Sequence, residues 1–421
     1  MYVGGSVRVP GDKSITHRAL MLAALAEGQS LVRGALTSLD ARSSARVLRR
    51  LGARISPLRP GSEVRIQGCG RLREPGGTLD CGNAGTTARL ITGILAAQPL
   101  SARLSGDASL RRRPMRRITV PLGRMGARFA PAEPDRLPFQ LTGGRLSALR
   151  HDLPVSSAQV KSALLLAGAC GGVAVSLREP GGLSRDHTER MLRALGFGVA
   201  TNEGRIEFTP GGQFQPFAFD VPADPSSAAF LVGAAILAEG GTLTLPDVGL
   251  NPTRTGFLAV LARMGAAVLV EHRREQMGEP IGTLVVSPAA LEGTVVTAGE
   301  IPGLVDEVPM LAVLAARARG ETRFCSVGEL RVKESDRLAL IAANLTALGQ
   351  RAQVDGEDLV IEGTDAPPRG RVRTEGDHRI AMAFRVLGTT PGAHVSIDDM
   401  TCADVSFPGF ARTLDSIRRR P

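Results

Sequence analysis

The chain has 421 residues, enough for about two to three domains of ~150 residues each. Hydrophobic residues make up 43% and charged residues 22%, a composition that excludes an intrinsically disordered protein. We expect neither a secretory signal nor a membrane span, since the first residues lack an apolar segment and no run of ~18 apolar residues occurs. The five scattered cysteines form no CxxC pair, which excludes a zinc ribbon and a disulfide framework and indicates a cytoplasmic location.

The formal net charge of +10 comes from 51 basic and 41 acidic residues. Only three of the basic residues are lysines, Lys13, Lys161 and Lys333, and all the others are arginines. A lysine kept in such a chain indicates a use for a compact ammonium group, although chance survival is the alternative. Aromatic residues make up only 3%, and the charges are interleaved. We therefore expect small anionic substrates as partners, with no nucleic acid and no membrane surface.

The predicted elements begin with a short strand before Arg8–Pro10 that belongs to a later part of the fold. A helix follows over 14–26, a strand over 30–33, a helix over 40–51, and strands over 54–55 and 63–67. This order predicts a mixed α/β unit of about 70 residues, in which helices pack against a sheet. A further strand is predicted over 266–270, and a further helix over 338–348.

A short pattern, L-x-x-(L/M)-G, recurs along the chain and predicts helix ends at which glycine adopts a left-handed conformation. The copies are Leu48–Gly52, Leu122–Gly126, Leu192–Gly196, Leu261–Gly265 and Leu345–Gly349, with a degenerate sixth at Leu414–Arg418. Their regular spacing favours a sixfold repeat, although this ending is common in any α/β protein. Six units are too many for one core, so we divide them three and three. The candidate boundaries lie near Pro10-Gly11 and Val221–Pro225.

Several predicted helices begin with glycine, small polar residues and cations, a combination suited to anions because a helix N-terminus offers free N–H groups. These starts are Pro10–Arg18, Asp80–Arg89, Ser156–Lys161, Leu330–Arg337 and Asp377–Arg379. The abundance of arginine is the alternative explanation, but it does not account for the three lysines in these segments. A polar, arginine-dense loop, flexible at Gly106, is predicted over 106–114, with Arg113 held extended by Pro114.

Carboxylates stand among these cations. Asp306 and Glu307 precede a predicted helix, and Glu334 follows Lys333. An acid among cations suits proton transfer, although a role as a structural counter-ion is equally compatible with the spacing. No phosphate-binding GxxxxGK(S/T) motif, dinucleotide-binding motif, metal-ligand spacing or G-x-S-x-G motif is present. General acid–base chemistry on anions is therefore expected, with no cofactor and no metal.

Seven segments together resemble one family, 5-enolpyruvylshikimate-3-phosphate synthase, and they extend along the whole chain. They are PGDKSITHRALMLAALAEG (10–28), DCGNAGTTARL (80–90), GDASLRRRPM (106–115), SSAQVKSALLLAG (156–168), SRDHTERML (184–192), LRVKESDRL (330–338) and DHRIAMAF (377–384). The resemblance implies an α/β enolpyruvyl transferase fold of six βαβαββ units, three per domain, joined by a two-strand hinge. The domains would span 12–222 and 1–11 plus 223–421.

The resemblance also implies a reaction. Phosphoenolpyruvate would add to the 5-hydroxyl of shikimate 3-phosphate, and the tetrahedral adduct would expel phosphate. The implied catalytic residues are Lys13, Asp306 and Glu334. The implied contacts to shikimate 3-phosphate are Lys13, Ser14, Arg18, Ser156, Ser157, Gln159, Arg185, Asp306 and Lys333. Those to phosphoenolpyruvate are Lys13, Gly85, Arg89, Arg113, Gln159, Arg337 and Arg379. A monomer is expected.

Three positions bear on how closely the chain follows the family. Val405 stands where many members have a lysine, which leaves one phosphoenolpyruvate contact in doubt. Glu329 stands near an asparagine that some members have. Gly85 is the small residue of members that glyphosate inhibits. Two rivals remain: UDP-N-acetylglucosamine enolpyruvyl transferase, whose cysteine is missing from 106–117, and a basic scaffold that binds RNA or polyphosphate.

Overall fold

The computed structural model describes residues 1–180 and 184–419. The chain divides into two compact units. The first unit is Gly11–Val221 with Glu275–Glu279, and the second unit is Met1–Pro10, Pro222–Arg274 and Pro280–Pro421. The resemblance implies a second domain that includes all of 223–421, whereas the five residues Glu275–Glu279 belong to the first unit. These five residues include the turn of a long hairpin, and hairpin length is not encoded in a repeat pattern.

Thirteen α-helices occur in the described residues. In chain order they are α1 (Lys13–Leu25), α2 (Leu39–Arg50), α3 (Gly85–Ala96), α4 (Ala108–Arg112), α5 (Arg116–Met125), α6 (Ala158–Gly171), α7 (His187–Ala194), α8 (Pro225–Ile236), α9 (Gly256–Arg263), α10 (Val308–Ala315), α11 (Arg337–Ala347), α12 (His378–Leu387) and α13 (Phe410–Ser416). Short 3-10 helices cover Ile301–Gly303, Gly328–Val332 and Thr401–Val405. The helices predicted over 14–26, 40–51 and 338–348 are confirmed within one residue at each end.

The strands are short and follow the helices in a repeating order. They are β1 (Tyr2–Val3), β2 (Gly5–Ser6), β3 (Glu27–Arg33), β4 (Arg54–Ile55), β5 (Val64–Cys69), β6 (Leu79–Asp80), β7 (Ser101–Ser105), β8 (Arg128–Ala130), β9 (Phe139–Thr142), β10 (Leu149–Asp152), β11 (Val175–Arg178), β12 (Gly198–Asn202), β13 (Arg205–Thr209), β14 (Ala218–Asp220), β15 (Leu243–Gly249), β16 (Val268–Gln276), β17 (Glu279–Val286), β18 (Val295–Val296), β19 (Glu321–Phe324), β20 (Arg351–Asp355), β21 (Asp358–Glu362), β22 (Arg369–Val372), β23 (His394–Ile397) and β24 (Arg418–Arg419).

The sheets repeat one connection pattern. Those of the first unit have the strand orders β14-β3-β5-β4, β6-β7-β9-β8 and β10-β11-β13-β12. In each, the first pair is parallel and the other two pairs are antiparallel. The orders β2-β15-β17-β16 and β18-β19-β21-β20 follow in the second unit, with the two-stranded sheets β22-β23 and β1-β24. The opening strand β2 pairs with β15, which confirms that it belongs to a later part of the fold.

The glycines of the recurring pattern end their helices as the sequence predicts. Gly52, Gly126, Gly196, Gly265 and Gly349 all have positive φ values, between 78° and 120°. This region is costly for residues with a Cβ, so glycine is selected there. In five of the six repeats, a glycine after a helix therefore turns the chain back toward the sheet.

The first helix of each repeat is an inner helix, and the second is an outer one. All residues of α8 and of α10 are buried, as are most residues of α1. The outer helix α2 buries only one face. Two separate apolar cores result, one from residues of the first unit and one from residues of the second. Each fully buried aliphatic side chain contributes about 1.5–3 kcal/mol, so the inner helices are the rigid elements of the fold.

Inner helices α3 and α6 pack very closely. A Cβ on Gly93 of α3 would lie 2.0 Å from the carbonyl oxygen of Ala163 of α6, so only glycine permits this approach. In residues 1–180 and 184–419, no helix has both the length and the apolar character needed to cross a bilayer.

Candidate active site

Predicted site residues lie at the N-termini of the inner helices. In α1, the Asp12 carboxylate caps the helix by accepting a hydrogen bond from the backbone N–H of Ile15, at 2.8 Å. This cap places Lys13 and Ser14 in the first turn, where both are half-buried. The Lys13 ammonium lies 3.5 Å from the carboxylate of Asp40, which is in the first turn of α2. The start of α1 therefore presents a cation and a hydroxyl at the positive end of a helix dipole.

Arg18, one turn further along α1, is buried. Its guanidinium donates to Thr188 and Ser162, each at 2.7 Å, and to the Ser14 carbonyl at 2.9 Å. Burial lowers the pKa of Arg18 to about 10, so the side chain remains a cation at neutral pH. Arg18 thus connects the start of α1 to α6 and α7 by hydrogen bonds. It also adds a positive charge close to Ser14.

Two arginines flank Gly85 at the start of α3. A Cβ on Gly85 would lie 2.7 Å from a terminal nitrogen of Arg89 and 3.1 Å from one of Arg113. Arg89 donates to the side-chain oxygen of Gln159 at 2.9 Å, and Arg113 donates to Asn83 at 2.5 Å. Burial, with the nearby charge of Arg113, lowers the pKa of Arg89 to about 10. Two like charges held this close favour an anion between them.

The segment predicted as a flexible loop over 106–114 is instead partly helical. Asp107 caps the short helix α4 by accepting from the backbone N–H of Leu110, at 2.7 Å. A Cβ on Gly106 would lie 2.5 Å from the Leu110 side chain, so this glycine is tightly packed. The prediction of a loop was wrong because the cap from Asp107 stabilises one helical turn even within this arginine-rich segment. Arg113 is nevertheless extended before Pro114, with ψ of 139°.

Ser156, Ser157 and Arg185 lie close to one buried carboxylate, that of Glu179. The backbone N–H of Ser157 donates to Glu179 at 2.9 Å, and so does the backbone N–H of Ser184 at 3.0 Å. Ser156 directly precedes Ser157, and Arg185 directly follows Ser184. Both Ser156 and Arg185 are half-buried. Glu179 is absent from the sequence prediction because nothing in its sequence neighbourhood reveals partners that are far along the chain.

Lys161 does not face an anion site. Its side chain is fully buried, and its ammonium lies 2.9 Å from Glu179 and 2.8 Å from Glu189. The expectation that all three lysines serve anion-binding helix starts is therefore wrong for Lys161. The residue stands in the second turn of α6, on the face that points into the protein.

The second unit brings the predicted acids and cations together around Arg337. Its guanidinium donates to Asp306 at 3.3 Å, to Glu334 at 2.5 Å and to Asp377 at 2.8 Å. Burial alone lowers the pKa of Arg337, but the charges of Glu334, Asp377 and Asp306 raise it overall. Arg379 contacts Asp306 twice, at 3.1 Å through the carbonyl and at 3.4 Å through the carboxylate.

Asp377 organises this group, and the sequence predicted it only as a helix start. It caps α12 by accepting from the Arg379 backbone N–H at 2.9 Å, while its other oxygen accepts from Arg337. Its signal in the sequence was its position directly before His378 and Arg379. Burial opposes ionisation, but the charge of Arg337 lowers the pKa of Asp377 overall.

Lys333 and Glu307 complete the second unit's group. The Lys333 ammonium contacts Glu329, four residues before it. Glu307 is buried and accepts a hydrogen bond from the Ser226 hydroxyl. Burial, with the neighbouring charge of Asp306, raises the pKa of Glu307. Val405, at the position where the resemblance implies a lysine, is half-buried in the 3-10 helix Thr401–Val405.

Each unit thus has its own group of polar residues, with different chemistry. The first unit offers cations and hydroxyl groups at helix N-termini, which suit phosphate and carboxylate ligands. The second unit offers two carboxylates, Asp306 and Glu334, held by one buried arginine. Such carboxylates are able to accept or donate protons beside bound anions.

Comparison with known proteins gives matches over nearly the whole chain. The family model for EPSP synthase (3-phosphoshikimate 1-carboxyvinyltransferase) matches residues 1–414. A 3-phosphoshikimate 1-carboxyvinyltransferase of Paramagnetospirillum magneticum is 46% identical, over 99% of this chain and 95% of that protein. One of Granulibacter bethesdensis is 47% identical, over 98% of this chain and 92% of that protein.

Solved structures agree with these matches. An EPSP synthase structure from Acinetobacter baumannii has a TM-score of 0.90 and 39% identity, covering 99% of this chain and 96% of that one. The enolpyruvyl transferase NikO from Streptomyces tendae has a TM-score of 0.75 at 19% identity, covering 99% and 95%. The second likeness concerns the fold alone. Together with the first, it confirms the predicted α/β enolpyruvyl transferase fold.

Proposed function

The chain belongs to the EPSP synthase (3-phosphoshikimate 1-carboxyvinyltransferase) family, and we propose that it transfers the enolpyruvyl group of phosphoenolpyruvate to the 5-hydroxyl of shikimate 3-phosphate. Phosphate is the second product. The observation that carries this proposal is the pair of carboxylates, Asp306 and Glu334, bound to the buried guanidinium of Arg337. An addition–elimination reaction requires groups that move protons, and these two acids stand beside cations that suit an anionic substrate.

Substrate charge fits the cations of the first unit. The two substrates together carry two phosphates and two carboxylates. Lys13, Ser14, Arg18, Ser156, Ser157, Gln159 and Arg185 are the proposed contacts of this unit to shikimate 3-phosphate. Those to phosphoenolpyruvate are Lys13, Gly85, Arg89, Arg113 and Gln159. Electrostatic stabilisation by such pre-positioned groups is commonly the largest part of catalysis.

Proton transfer is assigned to Lys13, Asp306 and Glu334. In the addition step, a base takes the proton of the 5-hydroxyl, its oxygen bonds to C2 of phosphoenolpyruvate, and C3 gains a proton. In the elimination step, the bond from C2 to the phosphate oxygen breaks and C3 returns a proton. Asp306 is the proposed acceptor from the 5-hydroxyl, and Glu334 is the proposed proton carrier at C3. Lys13 stabilises the phosphate and assists proton transfer.

Arg337 and Arg379 are the second unit's proposed contacts to the phosphoenolpyruvate carboxylate, and Lys333 is its contact to shikimate 3-phosphate. The Arg337 donors are engaged by Glu334, Asp306 and Asp377. A substrate carboxylate therefore binds Arg337 by replacing one of these acids. Glu334 is the most exposed of the three, with 36% of its side chain accessible, so its replacement costs least and lets it carry a proton.

The same proposal places the enzyme in the cytoplasm as a monomer. All five cysteines are unpaired, in keeping with a reducing compartment. Size-exclusion chromatography with light scattering at micromolar concentration measures the oligomeric state, and a mass of twice 44.1 kDa contradicts the monomer.

Phosphate release from phosphoenolpyruvate tests the function, with shikimate 3-phosphate or UDP-N-acetylglucosamine as acceptor. We expect release with shikimate 3-phosphate only, and release with the sugar nucleotide only would contradict the proposal. Glu334→Gln is expected to lower kcat by roughly 10²–10⁴-fold. The matched control is Glu362→Gln, since Glu362 forms an exposed ion pair with Arg351 on β20 and β21 and its replacement leaves kcat unchanged.

A further inference from the structure

Glu179 is a buried carboxylate that receives four hydrogen bonds from three residues. One oxygen accepts from the Ser157 backbone N–H at 2.9 Å and from the Ser184 hydroxyl at 2.6 Å. The other accepts from the Ser184 backbone N–H at 3.0 Å and from the Lys161 ammonium at 2.9 Å. Its side chain is 0% exposed. Four donors are as many as the two oxygens of one carboxylate can satisfy.

Charges around Glu179 are balanced inside the first unit. The Lys161 ammonium is shared between Glu179 and Glu189, and it also donates to the Ser184 carbonyl at 2.9 Å. Burial alone lowers the pKa of Lys161, but the charges of Glu189 and Glu179 raise it overall. The Arg18 cation lies within the electrostatic reach of Glu189. Two buried acidic side chains, Glu179 and Glu189, thus lie among two buried basic side chains, Lys161 and Arg18.

The bonds to Glu179 join two parts of the chain that are far apart in sequence. Ser157 precedes the first residue of α6 as its N-cap, and Ser184 precedes Arg185 and α7. The Ser157 side chain makes no capping hydrogen bond to α6. Because Glu179 satisfies the Ser157 backbone N–H, the position of this residue is set without its hydroxyl. The hydroxyl therefore keeps its capacity to donate to a ligand.

We propose that Glu179 is a positioning residue for shikimate 3-phosphate, which sets the places of Ser156 and Ser157 relative to Arg185. This inference rests on the proposed function, since these three residues are its shikimate-3-phosphate contacts. Glu179 touches no substrate itself. One rigid carboxylate fixes both segments before the substrate binds. The segments therefore lose less conformational entropy on binding, and the affinity for the substrate is increased.

Glu179→Gln tests this role because the amide has one acceptor oxygen where the carboxylate has two. Two of the four donors then face an NH₂ group. In either orientation of the amide the Ser184 segment loses one of its two bonds, and in one orientation the Ser157 backbone N–H loses its only bond to this side chain, so the connection between the two segments is weakened. We expect the KM for shikimate 3-phosphate to rise roughly ten-fold, corresponding to one or two lost hydrogen bonds. The KM for phosphoenolpyruvate and kcat are expected to stay within about three-fold, since within residues 1–180 and 184–419 the bonds of Glu179 go to Ser157, Ser184 and Lys161 and not to the residues around Gly85 and Arg337.

Glu189→Gln is the matched control. It removes an acidic partner of the same buried ammonium, at 2.8 Å, and in the part of the chain that the structure describes Glu189 accepts no hydrogen bond from Ser157 or Ser184. Both variants are expected to lower Tm, whereas only Glu179→Gln raises the KM for shikimate 3-phosphate. Equal KM values for shikimate 3-phosphate in Glu179→Gln and Glu189→Gln would overturn the proposal. A fall in kcat at an unchanged KM in Glu179→Gln would also overturn it, because this pattern indicates only a smaller fraction of folded enzyme.

If Glu179→Gln does not fold, Ser184→Ala tests the positioning role of Glu179 instead. The substitution removes only the hydroxyl bond to Glu179, from a half-buried serine. A rise of about three-fold in the KM for shikimate 3-phosphate at unchanged kcat is expected, and an unchanged KM overturns the proposal. Calorimetric titration with shikimate 3-phosphate distinguishes a failure of the proposed function from a failure of the positioning role of Glu179. Wild-type protein that neither binds it nor turns it over contradicts the proposed function itself, whereas binding unaffected by Glu179→Gln contradicts the positioning role alone.

Discussion

Replacement of Asp377 by asparagine is expected to destabilise the second unit strongly. One oxygen of Asp377 caps α12 through the Arg379 backbone N–H, and the other accepts from Arg337 at 2.8 Å and from the Ser335 hydroxyl at 3.0 Å. Asparagine retains one acceptor for the cap. Its NH₂ group then faces the Arg337 N–H, so a buried ion pair becomes a contact between two donors.

The magnitude follows from burial. The side chains of Asp377 and Arg337 are 0% and 1% exposed. Removing one partner of a buried ion pair costs about 3–5 kcal/mol, against about 0.5–2 kcal/mol for loss of an N-cap alone. Since the cap is retained and Arg337 keeps Asp306 and Glu334, we expect a loss of about 3 kcal/mol in the free energy of unfolding.

At acid pH, the difference in the free energy of unfolding between wild type and Asp377→Asn should become smaller. The pKa of Asp377 is lowered in the folded protein, despite the opposing effect of burial, by the charge of Arg337. Its contribution to stability is therefore complete above the unfolded-state pKa of about 3.9 and is lost as the pH falls through the folded-state value. The asparagine variant has no such titration, so its deficit relative to wild type shrinks at acid pH.

Asp336→Asn is the matched control. Asp336 is the N-cap of α11 and accepts from the Ala339 N–H at 3.0 Å, but its ion pair with Arg331 is exposed. We expect a loss below about 1 kcal/mol. Urea denaturation at neutral pH and near pH 3.5 measures both variants. Equal losses at neutral pH, or a deficit in Asp377→Asn that does not shrink in acid, would refute the reasoning from burial.

Three further predictions concern single positions. Gly85→Ala places a methyl group 2.7 Å from Arg89, which must shift, and so the inhibition constant for glyphosate should rise; an unchanged constant contradicts this. Glu329→Asn frees Lys333 and should lower the KM for shikimate 3-phosphate two- to three-fold at low salt, with little difference at 1 M salt. Burial lowers the pKa of His17 from 6.5 to about 4, so wild type should lose about 3 kcal/mol as the pH falls between these values. A His17→Asn variant with the same pH slope would contradict the last expectation.

Much of the architecture could be predicted because its signals are local. A glycine with positive φ ends an outer helix at Gly52 and at four equivalent positions, and each is visible as a five-residue pattern. The start of α1 was predictable from Asp12, since an N-cap and the residues after it are neighbours in sequence. The same applies to Arg379, which directly follows its capping residue.

Other features depend on contacts between distant residues and could not be predicted. Lys161 has the sequence surroundings of an anion-binding lysine, but its partners Glu179 and Glu189 lie 18 and 28 positions away. The position of Glu275–Glu279 in the first unit depends on the length of the β16–β17 hairpin. The commitment of Arg337 to three carboxylates likewise emerges only in the fold.

Deuterium incorporation tests the central claim, transfer by addition and elimination, most directly. The chain is incubated in D₂O with phosphoenolpyruvate and shikimate 3-phosphate, and the product is analysed by mass spectrometry. The proposed protonation of C3 produces a methyl group that then loses one hydrogen, so the enolpyruvyl product should carry deuterium on its vinyl carbon. An enolpyruvyl product without deuterium would contradict the proposed mechanism, and the absence of this product would contradict the proposed function.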